Sequence, residues 1–210
     1  MSLPDKASHP CSPLAVLTSF RRKESLPLIR DRVWRIETGI VRTLTWNEQG
    51  HVTTFGLWGR GDIVGQCLTQ IQPYQLECLT SVVANDVPLG SHGGYWQDAL
   101  LKHLWRSEEL LRIIHQPSVA ERLIQLLYWL AQRFGKSVPQ GYLLEPLLTH
   151  QQLAEIISAG RVTVTRLLAA LENQGQLVRP SRVAGKGPSF SASRRAILLP
   201  HQPYSSLQAD

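Results

Sequence analysis

The segment Leu148-Thr149-His150-Gln151-Gln152-Leu153-Ala154-Glu155-Ile156-Ile157-Ser158-Ala159-Gly160-Arg161-Val162-Thr163-Val164-Thr165-Arg166-Leu167-Leu168 carries the strongest local signal in this chain. Thr149 followed three residues later by Gln152 forms a capping box, in which each side chain satisfies the other residue's orphan amide and starts a helix. Leu153, Ile156 and Ile157 share one face of that helix. Ser158-Ala159-Gly160 interrupts the period. A second helix follows, with Val164, Leu167, Leu168 and Leu171 inward and Gly175 as its stop. Two helices joined by a three-residue turn make a helix-turn-helix, whose second helix enters the DNA major groove by its N-terminal residues.

Side chains off the core face suit that geometry. Arg161, Val162, Thr165 and Arg166 all avoid the Val164/Leu168 face. Arg166, one turn in, can fork onto guanine O6 and N7, and Val162 can touch a thymine methyl. Arg161 reaches phosphate or a base edge, Thr163 and Thr165 offer hydroxyls, and the backbone amides of this helix end favour phosphate. Thr149 and His150 complete the candidate DNA-binding set, His150 as a surface or phosphate-contacting residue. After Gly175, Gln176-Leu177-Val178 and Ala196-Ile197-Leu198-Leu199 read as two strands around a basic Gly/Ser loop, as in a winged helix. A helical hairpin that merely packs would account for neither the exposed arginines nor the basic loop.

Upstream, Pro117-Ser118 opens another helix, with Ser118 and Glu121 as its capping box and Gly135 as its end. Val119, Leu123, Leu126, Leu127, Leu130 and Phe134 lie on one face of it. Lys136 to Leu148, containing Pro139, Gly141 and Pro146, is a loop or short hairpin. From Tyr95 to His115 there is no Pro or Gly, and Leu100, Leu104, Ser107, Leu111 and Ile114 follow the 4-3-4-3 spacing of two packed helices. A dimerisation helix accounts for this better than a plain core helix. Leu101 and Trp105 add a second apolar stripe, suited to resting on a strand domain.

Between Leu26 and Val87 the texture is β-like: Val33 to Ile36, Ile40 to Trp46, His51 to Trp58, Ile63 to Gly65 and Leu76 to Val87. Asn47-Glu48-Gln49-Gly50 between two of these runs is a hairpin signal. Short strands spaced by turns suggest a small antiparallel barrel or sandwich.

With 210 residues and 23.6 kDa, the chain has room for one large domain or two small ones. At 43% hydrophobic and 18% charged residues, wholesale disorder and a collagen-like chain are excluded. No run approaches the ~18 apolar residues of a membrane span, and Met1 to Phe20 lacks signal-peptide order, so a soluble cytoplasmic protein with no membrane partner is expected. Cys11, Cys67 and Cys78 have no paired spacing, which excludes a disulfide framework and a Cys-rich zinc site. The formal charge is +6, and residues 161–210 hold seven basic groups against two acidic ones, hence +5 of it. That asymmetry points to a polyanion partner at the C-terminal end, with a solvated basic surface as the other reading of charge alone.

On these residues the chain resembles the Crp–Fnr family of bacterial transcription regulators. Gly160 to Leu168 looks most like the cyanobacterial global nitrogen regulator branch, while Trp34 to Gly39 and Gly59 to Gly65 are similar to turns of the family's N-terminal β-roll. The resemblance implies an α+β fold: a leader over 1–25, partly disordered; a shortened antiparallel β-roll over 26–92, sensor-like; a long dimerisation helix over 93–116; and a C-terminal winged helix-turn-helix DNA-binding domain over 117–205. It also implies a homodimer that binds a palindromic promoter site and contacts RNA polymerase. Arg161, Val162 and Arg166 fall on the family's base-reading positions. Val162 replaces a Glu of the catabolite-activator branch, which favours GTA…TAC-like half-sites.

Three departures stand out. Ser158 occupies a turn position where most members carry Gly, and would be modestly strained there in a left-handed conformation. Gly160 replaces the usual Ser or Thr cap. Between Gly65 and Val87 the cyclic-nucleotide phosphate cradle is missing, as is the four-cysteine iron–sulfur pattern, so no cofactor is expected and the effector-binding residues stay unassigned. Cys67 and Cys78 read as buried, inert thiols rather than redox sensors or haem ligands. His51, His92, His103, His115 and His150 lack metal spacing. The six tryptophans read as core or interface. No nucleophile-plus-base pair or phosphate-binding loop suggests an enzyme. The competing reading is a small-molecule or redox sensor, or an adaptor, that keeps the fold without specific DNA binding.

Overall fold

A computed structural model describes residues 16–89, 93–145, 148–179 and 196–201. Its β-rich half holds β1 (Leu17–Phe20), β2 (Arg32–Thr38), β3 (Val41–Trp46), β4 (Val52–Trp58), β5 (Ile63–Val64), β6 (Gln75–Cys78) and β7 (Val82–Pro88). They form two antiparallel sheets, in the orders β1-β7-β2-β5 and β4-β3-β6. Trp34, Ile36, Val41, Trp58, Leu76 and Ala84 meet between the sheets as one buried cluster. Alternation along β2 sends Trp34 and Ile36 to that cluster and Val33 to the opposite face, as the period of two requires. The expected hairpin joins β3 to β4: Gly50 N–H donates to Asn47 O, and Asn47 Oδ1 accepts from Gln49 and His51 amides.

Two strand expectations change. Within the segment expected to be a loose leader, Leu17–Phe20 pairs with β7 as an edge strand; residues 1–15, with Cys11, lie outside the described residues. The run Leu76 to Val87 is not one strand. It breaks at Leu79 to Ser81, where the chain crosses between sheets and Thr80 Oγ1 accepts the Ile40 amide.

The long helix α1 spans Gly93–Ile114. Its strand-facing side is Trp96, Ala99, His103, Arg106, Leu110 and Ile113, at 3-4-3-4-3 spacing. Trp96 and Ala99 pack on Val33, Ile63 and Val87, and the His103 ring stacks on Trp58 with centroids 3.9 Å apart. Leu101 and Trp105, expected to rest on the strands, are exposed instead, Trp105 to 55%. The two polar residues win that face because each has a partner: Ile63 O for His103 and Asp62 for Arg106. Of the six tryptophans, Trp34, Trp58, Trp96 and Trp129 are buried, while Trp46 and Trp105 are exposed.

Helix α2 (Val119–Phe134) carries both halves of the Ser118/Glu121 capping box. Gly135 ends it in an extended conformation. Glycine is required there because a Cβ would collide with the Ala131 and Leu143 carbonyls. The stretch expected to be a loop or short hairpin forms the hairpin β8 (Lys136–Val138) and β9 (Gly141–Leu144). Then come α3 (His150–Ile156), α4 (Arg161–Asn173) and β10 (Ile197–Pro200), which pairs with β9. Leu123, Leu126, Leu127 and Leu130 of α2 join Leu57 and Leu79 of the strand half and Leu153 and Leu168 of α3 and α4 in one core.

Candidate nucleic-acid interface

The interface is built from two short helices and the turn between them. Thr149 caps α3: its hydroxyl accepts from the Gln152 amide while Gln152 Oε1 accepts from the Thr149 amide. Leu153, Ile156 and Ile157 bury inward, and Val164, Leu168 and Leu171 of α4 meet them. At the turn Ser158 takes φ 54°, the left-handed conformation expected there. Gly160 caps α4 with no side-chain hydrogen bond. Helix α4 closes in a Schellman arrangement: Gly175 at φ 69° donates to Glu172 O, and Gln176 N–H reaches Leu171 O.

This packing turns one side of α4 to solvent. Arg161, Val162, Thr165 and Arg166 are exposed and Thr163 is half-buried. Val162, next to Arg161 and one turn before Arg166, is 79% exposed. His150 and Thr165 are brought together, with Nδ1 2.8 Å from the hydroxyl oxygen. Because the Thr165 hydroxyl donates to Arg161 O at 3.0 Å, it accepts from His150 Nδ1–H, leaving Nε2 as the ring's second polar atom. Burial lowers the His150 pKa below the ordinary imidazole value, and the charges of Arg179 and Arg161 push the same way. Arg179, which spacing alone gave no reason to select, is near enough to His150 for its charge to act there, and its guanidinium pairs with Glu172 at 3.5 Å.

The wing is narrower than expected among the described residues. In place of a strand over Gln176 to Val178, a single bridge links Val178 to Leu198. The basic loop with Arg182, Lys186, Arg194 and Arg195 lies outside the described residues, as do His92 and residues 202–205. Along α1, Leu100, Leu104 and Leu111 of the expected dimer seam are exposed, while Ser107 and Ile114 are half-buried.

Two features of the strand half bear on sensing. An open cavity of about 510 Å³ lies between the strands and α1, with Thr54, Phe55, Trp58, Tyr74, His103 and Leu111 in its wall. Its described lining contains no arginine or lysine, so a phosphate would find no counter-charge there. Of the two cysteines expected to be buried, one differs. Cys78 is buried, but Cys67 is exposed on the turn after β5, where its thiol donates to Arg32 O at 3.4 Å. Desolvation pushes both thiols up, Cys78 to about 12, which disfavours the reactive thiolate.

Comparison with known proteins agrees with this architecture. Residues 121–184 match the model of the Crp-like helix-turn-helix domain. The chain is 35% identical to the regulatory protein CysR of Synechococcus elongatus over 83% of its length and 85% of the relative's. It is 27% identical to the global nitrogen regulator of the same species, over 67% of this chain and 70% of that one. In fold it is similar to a CRP-family transcriptional regulator from Thermus thermophilus, at 20% identity and TM-score 0.70, covering 88% of this chain and 92% of that chain. FixK2 from Bradyrhizobium japonicum gives 18% identity and TM-score 0.69 over 89% and 92%. These relatives are regulators, not enzymes, and this chain belongs to the Crp–Fnr family of transcription regulators.

Proposed function

We propose that the protein is a sequence-specific DNA-binding regulator that acts in the cytoplasm as a homodimer on a palindromic promoter site. Each α4 lies in a major groove, Arg166 forks onto a guanine, Val162 meets a thymine methyl, and Arg161 takes a phosphate or base edge. Thr163, Thr165, Thr149 and His150 supply the surrounding contacts. The observation that carries the reading is the solvent-facing row Arg161, Val162, Arg166 at the start of α4, held out by the buried Val164 and Leu168. The exposed Leu100, Leu104 and Leu111 support pairing of two α1 helices. RNA polymerase as a further partner rests on the family resemblance.

Titrating a GTA…TAC duplex tests this. Affinity should fall steeply with salt and with mismatches in either half-site. Arg166→Ala should cost ~1–3 kcal/mol on the matched site and relax base preference at one position. Equal binding by parent and variant removes the base-reading role. The cavity favours small-molecule sensing as an addition to this function, with an uncharged, largely apolar ligand as the chemistry its wall suits.

A further inference from the structure

A buried cation joins the strand half to the helix-turn-helix. Arg42 is the second residue of β3, the central strand of its sheet, and is only 4% exposed. Its Nε and one terminal nitrogen donate to Glu77 on the neighbouring β6 at 2.9 Å, and the other terminal nitrogen reaches Glu155 on α3 at 2.7 Å. The second oxygen of Glu155 accepts from Gln151 at 3.0 Å, so the carboxylate is fixed on both sides. Gln151 sits in the first turn of α3, beside His150. This ion pair links the strands directly to α3. The other inter-element cluster, Asp62 with Arg106 and Arg133, reaches α1 and α2 instead.

A guanidinium in that strand is costly to bury, and an apolar residue would pack beside its cross-strand partner Leu57 at least as well. What an ion pair adds over apolar packing is direction: it holds its partners at one angle, where methyl groups slide. Helix α3 has seven residues and packs on both α4 and β4. The angle of α3 to the sheet is therefore also the angle of α4, the reading helix. In a dimer joined along α1, that angle sets how far apart the two reading helices stand.

We propose that Arg42 is a positioning residue for DNA recognition: by clasping Glu155 it fixes the helix-turn-helix against its own β-roll and selects the spacing between half-sites. This rests on the DNA-reading function proposed above. The test uses the full-length protein and palindromic duplexes whose half-site separation is stepped one base pair at a time around the best site. Affinities are measured for the parent, Arg42→Met, Glu155→Gln and Arg42→Lys. The parent should prefer one separation by about tenfold or more. Arg42→Met and Glu155→Gln should flatten that preference to within about threefold while keeping affinity for a single half-site, and Arg42→Lys should restore part of it.

Variants that keep the parent's spacing preference overturn the proposal. So do variants that lose affinity equally at every separation, because that is the signature of a merely destabilised fold. Glu155→Gln, on a partly exposed side chain that retains its hydrogen-bonding shape, guards against misfolding of Arg42→Met. A parent with no preference for any palindrome overturns the DNA reading itself, and the clasp with it. A parent preference that both variants share overturns the clasp alone.

Discussion

His103 shows how a single side chain can join the parts of this molecule. It stands on α1, stacks on Trp58 of β4 with ring planes 3° apart, and donates to Ile63 O of β5 at 3.2 Å. Burial lowers its pKa; the Ile63 hydrogen bond and the Asp62 charge oppose this and lose. The folded protein therefore binds this proton less readily than the unfolded chain. Its contribution to stability is complete above the ordinary imidazole pKa of ~6.5 and drains away as pH falls through and below that value. His150, lowered chiefly by burial, has the same sign. The urea midpoint should drop between about pH 7.5 and 5, and drop less in His103→Gln. The same loss in both proteins would contradict the assignment. Nothing in the sequence singled out His103 or Arg106, since a face is read from apolar spacing and both are polar. Their partners, Trp58, Ile63 and Asp62, are some 40 residues away along the chain.

Elements were legible where their signals are contiguous. Both capping boxes, the interrupted period at Ser158 and the Gly175 stop are each local, and α2, α3 and α4 form accordingly. The turn also carries a measurable strain. An L-residue in the left-handed region costs ~1–2 kcal/mol, against ~0.5–1 for the extra freedom glycine loses on folding. Ser158 is exposed, so Ser158→Gly should stabilise by about 0.5–1 kcal/mol and raise Tm by ~1–4 °C. A lower Tm in thermal unfolding would show that Ser158 is not strained. Strand β1 lacked any such local signal. Four residues beside a basic cluster have no period to read, and their order comes from pairing Leu17 with Asn85 and Phe20 with Val82. The crossing at Leu79 to Ser81 was hidden for the related reason that residues on either side are equally β-like. Only the partner strands, β3 on one side and β2 on the other, tell them apart.

At the scale of the whole molecule, the fold places an exposed apolar seam on α1 and an exposed basic row on α4, with α2 and one shared core between them. Heptad spacing picked out Leu100, Leu104 and Leu111, which are exposed, whereas no spacing pointed to the clasp of Arg42 on Glu155, 113 residues apart. Leu104 is 53% exposed and Leu111 54%. Leu104→Asp places a charge where a second α1 is proposed to pack. It should give a monomer in sedimentation, with weaker binding to a palindrome and normal folding. A variant that remains dimeric would move the interface elsewhere.

Recognition of a palindrome as proposed requires two copies of α4 lying in successive major grooves. Guanine-N7 methylation protection on a bound palindrome reads this directly. Protected guanines should form two clusters related by the dyad and centred about one helical turn, ~34–36 Å, apart, and Arg166→Ala should expose them. Guanines methylated equally with and without the protein, or protected at only one position, would contradict it.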